Sequence, residues 1–265
     1  MKFNLIKRDC IFCDFSDHEL QLIVDNVFIH LDKLKTLIFT LSELNYDNNC
    51  KLSVSEIKKL IHTIIDFALI FVRLNDIERA IAILNNLEEI MNSLYMIFID
   101  DYQSSFYEEI INFLFYKSYF LILLSNNDLA LINLNAGIDI IKNFLTELSK
   151  DEVYNDYILG FNNLKLYIFY DEKHYEEALD ICIKRKTLIK PNMKDFNLKK
   201  WDNLFMIAEY YIRLNNFIEA YWYLIELKEL IELLSKNEKN NDDITEYLII
   251  IDFRLSFLKE IIYSD

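Results

Sequence analysis

Glycine and proline are nearly missing from this chain. Its 265 residues include 2 Gly and 1 Pro, far below ordinary usage. Tight turns between strands draw on Gly, Pro, Asn or Asp for unusual backbone angles. The scarcity therefore argues against a sheet protein and for long helices joined by short links. Positive charge is also in deficit: 28 Lys and Arg face 43 Asp and Glu, a formal net charge of −15. A nucleic-acid surface normally carries a basic stripe, so no direct contact with DNA or RNA is expected. Cysteine is sparse, and Cys10, Cys13, Cys50 and Cys182 suit a reduced compartment better than a disulfide frame. Long apolar runs are absent too. The best, LIHTIIDFALIFV at 60–72, carries His62 and Asp66 and is too short to cross a bilayer. The start, MKFNLIKRDCIFCDF, has no apolar stretch ahead of a small-residue cleavage site. These absences predict a cytoplasmic protein without membrane contact.

What remains is abundant apolar material, 53% of the chain with 20 Phe and 17 Tyr, and a phrase written twice. RLNDIERA at 73–80 and RLNNFIEA at 213–220 share one pattern. Upstream of the first come Ile64, Phe67, Ala68 and Phe71, and downstream Leu84. The second has Leu204, Ile207, Ala208 and Tyr211 before it and Leu224 after it. Residues three and four apart share a helix face. A small residue at Ala68 or Ala208 lets a neighbouring helix come close, and Ala80 or Ala220 does the same for the second helix of a hairpin.

Two looser copies follow the same outline. One reads Phe161, Leu164, Lys165 and Ile168, then a turn longer by one residue, then Ala178 and Cys182. In it Lys165 stands where a small residue belongs. The other reads Tyr116, Tyr119, Phe120 and Leu123, with Ile132 in the closing place and Ala136 after it. Closing residues at 80, 132, 178 and 220 lie further apart than about 34 residues, the usual tetratricopeptide period, so longer helices are expected. Helices are predicted near 17–44, 54–74, 77–96, 101–125, 128–148, 152–170, 174–189, 195–214, 217–236 and 242–263. Ser16 to Glu19 and Ser53 to Glu56 have the capping-box form of a helix start.

The expected fold is all-α, a right-handed solenoid of antiparallel helical hairpins with about ten helices. Residues 1–53 form an irregular start plus one long helix, 54–241 the repeats, and 242–265 a capping helix, together one compact unit. Stacked hairpins leave an extended inner surface. The residues one place after the packing positions of each first helix are predicted to line it: His62, Ile65 and Leu69; Leu114, Lys117 and Leu121; Asn162, Leu166 and Phe169; Asp202, Phe205, Glu209 and Arg213. An apolar cleft with a few placed polar groups suits a peptide or helix. The alternative is that these side chains touch a further helix of the same chain.

With these hairpins the chain resembles tetratricopeptide-repeat proteins. Residues 57–142 resemble one subgroup more closely, the helical sensor domain of the Rgg-type, peptide-pheromone-responsive regulators of low-GC Gram-positive bacteria. The resemblance implies a cytoplasmic protein, a tendency to dimerise, and short peptides held in the repeat groove. Such regulators begin with a helix-turn-helix domain, and no pair of short helices joined by a tight turn stands before residue 54.

Other chemistries find less support. Cys10-x-x-Cys13 lacks two further zinc ligands at a familiar spacing, since only His18 and Cys50 are near. Asp100-Asp101 is too short for a metal–diphosphate cluster and suits a helix start. The histidines 18, 30, 62 and 174 form no pair one turn apart, and two glycines cannot build a phosphate loop. The segment KRKTLIKPNMKDFNLKK, 184–200, is basic in an acidic chain. It reads as cations at a helix end plus a solvated loop, or as a contact for an acidic partner through Lys199 and Lys200. The function expected is a non-enzymatic binding protein, without cofactor or metal, that captures a peptide or protein segment; Arg213, Asn162 and Lys117 would fix its backbone or terminus. The alternatives are a structural subunit or homodimer whose faces a partner covers, and an all-α enzyme.

Overall fold

Each copy of the repeated phrase is one kind of turn. The computed structural model describes residues 25–36, 50–97, 102–144, 152–237 and 242–264, all helix apart from short turns. The helices are α1 (25–36), α2 (Cys50–Arg73), α3 (Ile77–Ile97), α4 (Tyr102–Leu123), α5 (Asn127–Phe144), α6 (Glu152–Asp171), α7 (Tyr175–Leu188), α8 (Phe196–Arg213), α9 (Phe217–Asn237) and α10 (Asp242–Ser264). Four links share one geometry: α2 to α3, α4 to α5, α6 to α7 and α8 to α9. In each, a non-glycine residue adopts the left-handed conformation: Asn75, Ser125, Lys173 and Asn215, with φ of 62°, 57°, 62° and 57°. The next amide donates five residues back, as in Asp76 N to Phe71 O at 2.9 Å, Asn126 N to Leu121 O at 2.9 Å, His174 N to Phe169 O at 2.8 Å and Asn216 N to Tyr211 O at 2.8 Å. This is the Schellman pattern, which satisfies carbonyls at a helix end. The following helix then closes its first bond on an alanine: Ala80, Ala130, Ala178 or Ala220, each fully buried.

The turns set the register of the two looser hairpins, and it differs from the one expected. The closing residue of the α4–α5 hairpin is Ala130; Ile132 is 62% exposed. The small position of α4 belongs to buried Ser118, whose hydroxyl donates to the Leu114 carbonyl at 2.6 Å, and not to Phe120. The α6–α7 turn is no longer than the others, and buried Leu166, not Lys165, holds the small position of α6. Apolar residues are so dense in these helices that a three-four spacing fits more than one register. The left-handed residue fixes which one is real. α2 also begins before Ser53, so that capping box does not mark its start. The other box, Ser16 to Glu19, lies outside the described residues, as do Cys10, Cys13, His18, Asp100 and Asp101.

The chain divides into two units, residues 1–146 and 147–265, a division that the sequence boundaries at 53/54 and 241/242 did not include. In the first unit α2 packs on α3, α3 on α4 and α4 on α5, and the backbones of α2 and α4 also come close. Val27, Leu31 and Leu34 seat α1 on the core built by Ile57, Ile61, Ile64, Ala68, Leu84 and Leu87. In the second unit successive helices from α6 to α10 pack in turn, and no close backbone approach joins α6 to α8 among the described residues. Ala68 and Ser118 explain the first case, since neither side chain holds the helices apart. Leu166 explains the second: its larger side chain packs with Met206, Ile207 and Tyr210 of α8. Most helices run 18 to 24 residues, and α7 has 14. None is long and apolar enough to cross a membrane.

Candidate functional site

The first helices of the hairpins, α2 and α4 in one unit and α6 and α8 in the other, carry most of the placed polar groups, together with α10. In the first unit the buried carboxylate of Glu109 on α4 meets α2 from below. Its Oε1 lies 3.3 Å from His62 Nε2, and its Oε2 lies 3.4 Å from Lys58 Nζ. Burial raises the pKa of Glu109, but the His62 hydrogen bond, a backbone bond and the Lys58 charge outweigh it, so the net shift is downward. Lys58 also lies over the Phe106 ring at 5.9 Å. Two turns further along α4, Lys117 donates to Glu88 of α3 at 2.6 Å. A cleft of about 720 Å³ lies between α1 and α2, lined by Ile29, Asp32, Lys33, Thr36, Glu56, Lys59 and Leu60.

In the second unit Lys199 donates to Asp156 of α6 at 2.6 Å, and Arg213 Nη2 donates to the Tyr170 hydroxyl at 3.2 Å while its guanidinium lies 5.8 Å from that ring. Tyr170 also meets Tyr175 and Tyr210, with ring centroids 6.2 and 6.4 Å away. Arg254 of α10 pairs with Glu209 and lies over the Phe205 ring at 5.0 Å. Trp201 meets Tyr247 edge-on at 4.7 Å. Deeper, between α7 and α8, Arg185 is buried beside Cys182, and its Nε and Nη1 have no hydrogen-bond partner among the described residues. Asn203 donates to the Cys182 carbonyl at 2.9 Å. Burial pushes the Cys182 thiol up to about 12 against the opposing pull of Arg185. The thiol is therefore protonated near neutrality and is no nucleophile. Asp202 keeps contact with water, yet crowding around its carboxyl raises its pKa, with Arg185 acting against the rise.

The predicted inner-face residues fare unequally. Ile65, Leu121 and Leu166 are core residues, and Asn162 is nearly so. The corrected register explains Leu114, Leu121, Asn162, Leu166 and Phe169, because in the looser hairpins these are the packing positions themselves. Leu69 and Phe169 are partly buried against the same cores. His62 and Ile65 on α2, and Phe205 and Glu209 on α8, have a different cause: they face the next first helix, α4 or α10. A position one place after the packing row points into that seam, and the predicted groove there is a contact within the chain. Lys117 points back to α3. Of the set, Asp202 and Arg213 are exposed. Lys199 and Lys200 both have acidic partners inside the chain, the latter in Glu226 at 3.7 Å. Lys186 shares Glu226 at 3.0 Å, and Lys184 pairs with Asp180. Four of the seven basic side chains of the segment thus meet an acid of the same chain.

The residues missed from sequence are Glu109, Tyr170, Arg185 and Arg254. Glu109 left a signal, an acid at the head of the apolar run IINFLF. The others left none, because their partners lie on separate helices. Among the described residues no group of three or more His, Cys, Asp or Glu is placed to hold a metal ion. No protein-family model matches the chain, and no curated protein is significantly similar to it.

Proposed function

We propose that this protein is a non-enzymatic helical-repeat binding protein whose hairpins stack as a right-handed, tetratricopeptide-like solenoid and capture a peptide or protein segment. Four turns of one geometry, each closing on a buried alanine, support the repeat reading. The observation that carries the binding reading is the rung of Arg213 and Tyr170 between α8 and α6, with Tyr167 and Tyr170 both exposed. Tyr and Arg are enriched where binding energy concentrates. Arg213 offers donors to a backbone carbonyl or a terminal carboxylate, and the rings offer flat apolar area. A ligand held on that rung alters the spacing of α6 and α8, which is how a cytoplasmic peptide-responsive regulator would pass the signal to a second contact.

The test is selection of peptides from a random display library on the purified chain, followed by fluorescence anisotropy. Arg213→Ala and Tyr170→Ala should each weaken a selected peptide by about tenfold or more, about 1.4 kcal/mol, without shifting the melting temperature. Phe205→Ala, whose side chain lies under Arg254, should weaken it less. Unchanged binding by Arg213→Ala would falsify the inner-face assignment. A second reading, a structural subunit whose faces a partner or a second copy covers, is favoured by one observation: the outer side of α10 is apolar and exposed, with Phe253 and Phe257 upon it.

A further inference from the structure

Helix α10 has two apolar sides. Ile251, Leu255 and Leu258 are buried with Leu204 and Ala208 of α8 and Leu224, Leu227 and Ile231 of α9. On the opposite side Ile249, Ile250, Phe253 and Phe257 are exposed, Phe253 by 75%. Residues three and four apart share a helix face, so these four form one strip. Glu246, Phe253 and Glu260 follow one another at heptad spacing along it, and both carboxylates are exposed. Asp252 and Arg254 flank the strip and are already tied to Lys228 and Glu209. The strip is therefore an uncharged centre with one acid at each end, the two acids about 21 Å apart along the axis.

We propose that this strip docks an amphipathic helix of another protein, one whose apolar centre is flanked by basic residues about one heptad to either side. The charges decide the occupant. In an antiparallel pair of two copies centred on Phe253, each Glu246 stands opposite the other copy's Glu260. In a parallel pair each acid stands opposite its own equivalent. Both arrangements set like charges together, which costs affinity, and they add to a chain already at −15. A basic-ended helix keeps the four apolar contacts and turns both end contacts attractive. The four side chains offer roughly 450 Å² of exposed surface by their sizes, about half of the ~800 Å² that one partner buries in a standard interface. That places the contact among the smaller, reversible ones. The proposal sharpens the second reading above and is independent of the inner-face one.

The experiment uses the full chain and two synthetic 18-residue helical peptides with one leucine face in common. One carries Lys, and the other Glu, a heptad to either side of the central Leu. Anisotropy should show the Lys peptide binding about tenfold or more tighter, with added salt narrowing the gap. Phe253→Ser should abolish binding while leaving the circular-dichroism melt unchanged, since the side chain is exposed. Glu246→Lys with Glu260→Lys should reverse the preference. Arg213→Ala should change nothing here, so the two readings fail separately. Equal affinity for the two peptides, or indifference to Phe253→Ser, overturns the proposal. So does a dimer in sedimentation that Phe253→Ser disperses, which assigns the strip to a second copy.

Discussion

Among the described residues of 1–146 the most buried charged side chain is a carboxylate; among those of 147–265 it is a guanidinium. Glu109 is buried with Lys58 and His62 both within ion-pair distance. Arg185 is as deeply buried and no carboxylate lies within that distance among the described residues. The units differ in polarity elsewhere too. Counted back from the left-handed residues of their turns, Lys58 and Asp156 hold one position, and Glu109 and Lys199 another. The rung that joins the first helices is thus Lys58 to Glu109 in one unit and Asp156 to Lys199 in the other. One geometry accepts either sign, because it asks only that the two charges be opposite. A buried charge, by contrast, asks for a partner; the first unit supplies one at ion-pair distance, and the second sets Arg185 beside the Cys182 thiol and within electrostatic reach of Asp202.

The units can be followed separately. Trp201 and Trp222 both belong to the second unit, so tryptophan fluorescence reports on it alone, while circular dichroism reports on both. The largest expected effect is at the small position of the first helices. Leu166→Ala removes a buried side chain and should cost the second unit about 2–5 kcal/mol. Ala68→Leu forces α2 from α4 and should cost the first about 1–3 kcal/mol. Denaturant curves check both, and a neutral Leu166→Ala breaks the claim that this residue sets the spacing of α6 and α8.

Next come the buried charges, with opposite signs. Glu109→Ala strands Lys58 and His62 and should cost about 1–3 kcal/mol, toward the low end because both reach water. The loss should be visible by circular dichroism with the tryptophan midpoint unmoved. Arg185→Met should stabilise the second unit by about 1–2 kcal/mol, read as a higher tryptophan midpoint, since a buried charge that lacks a close ion pair is replaced by an apolar chain of similar length. Equal losses for the two variants would show that Arg185 is as well compensated as Glu109.

The pH dependence follows the same contrast. Glu109 has a folded pKa below its ordinary 4.5, so the unfolded chain binds the proton more tightly. Its contribution is full above that ordinary value and is lost as pH falls through the lowered one. Asp202 is raised above 3.8, so acidification through that window favours the folded second unit. Above pH 9, Cys182, raised to about 12, makes the second unit lose stability as the unfolded thiol ionises first. Acid titration should therefore lower the circular-dichroism transition before the tryptophan one, and alkali should do the reverse. The smallest expected effect is at the turns. Lys173→Gly and Ser125→Gly relieve left-handed strain of about 1–2 kcal/mol each, partly offset by the freedom glycine loses on folding. Gains of about 0.5–1 kcal/mol are expected, against none at Asn75, which tolerates that conformation.

Much of the fold was legible because its cause is local. RLNDIERA and RLNNFIEA announce their turns through an Asn that accepts a positive φ and an Ala that the next helix needs. DEKHYEEA and LLSNNDLA make the same turn with Lys173 and Ser125 in the left-handed place, where no residue type advertises it. That is why spacing alone sets their registers off by one and two residues, and why it puts Leu166 on the inner lining and Lys165 in the small position. The inner face was misread for another reason. Whether Ile65 or Glu209 meets water depends on a helix that starts 37 or 33 residues further on, and spacing within one helix cannot contain that.

By itself the sequence determined helices throughout the described residues, hairpins closed by a buried alanine at 80, 178 and 220, and the absence of a membrane-crossing helix among the described residues. Each follows from backbone preferences and side-chain spacing within about thirty residues. Only the tertiary structure decided that Glu109 has a close ion pair and Arg185 has none among the described residues, that Arg213 meets Tyr170, and that α10 keeps an uncovered apolar side. These depend on which helices become neighbours, and that is set by the sum of many weak packing contacts and by no single stretch of chain.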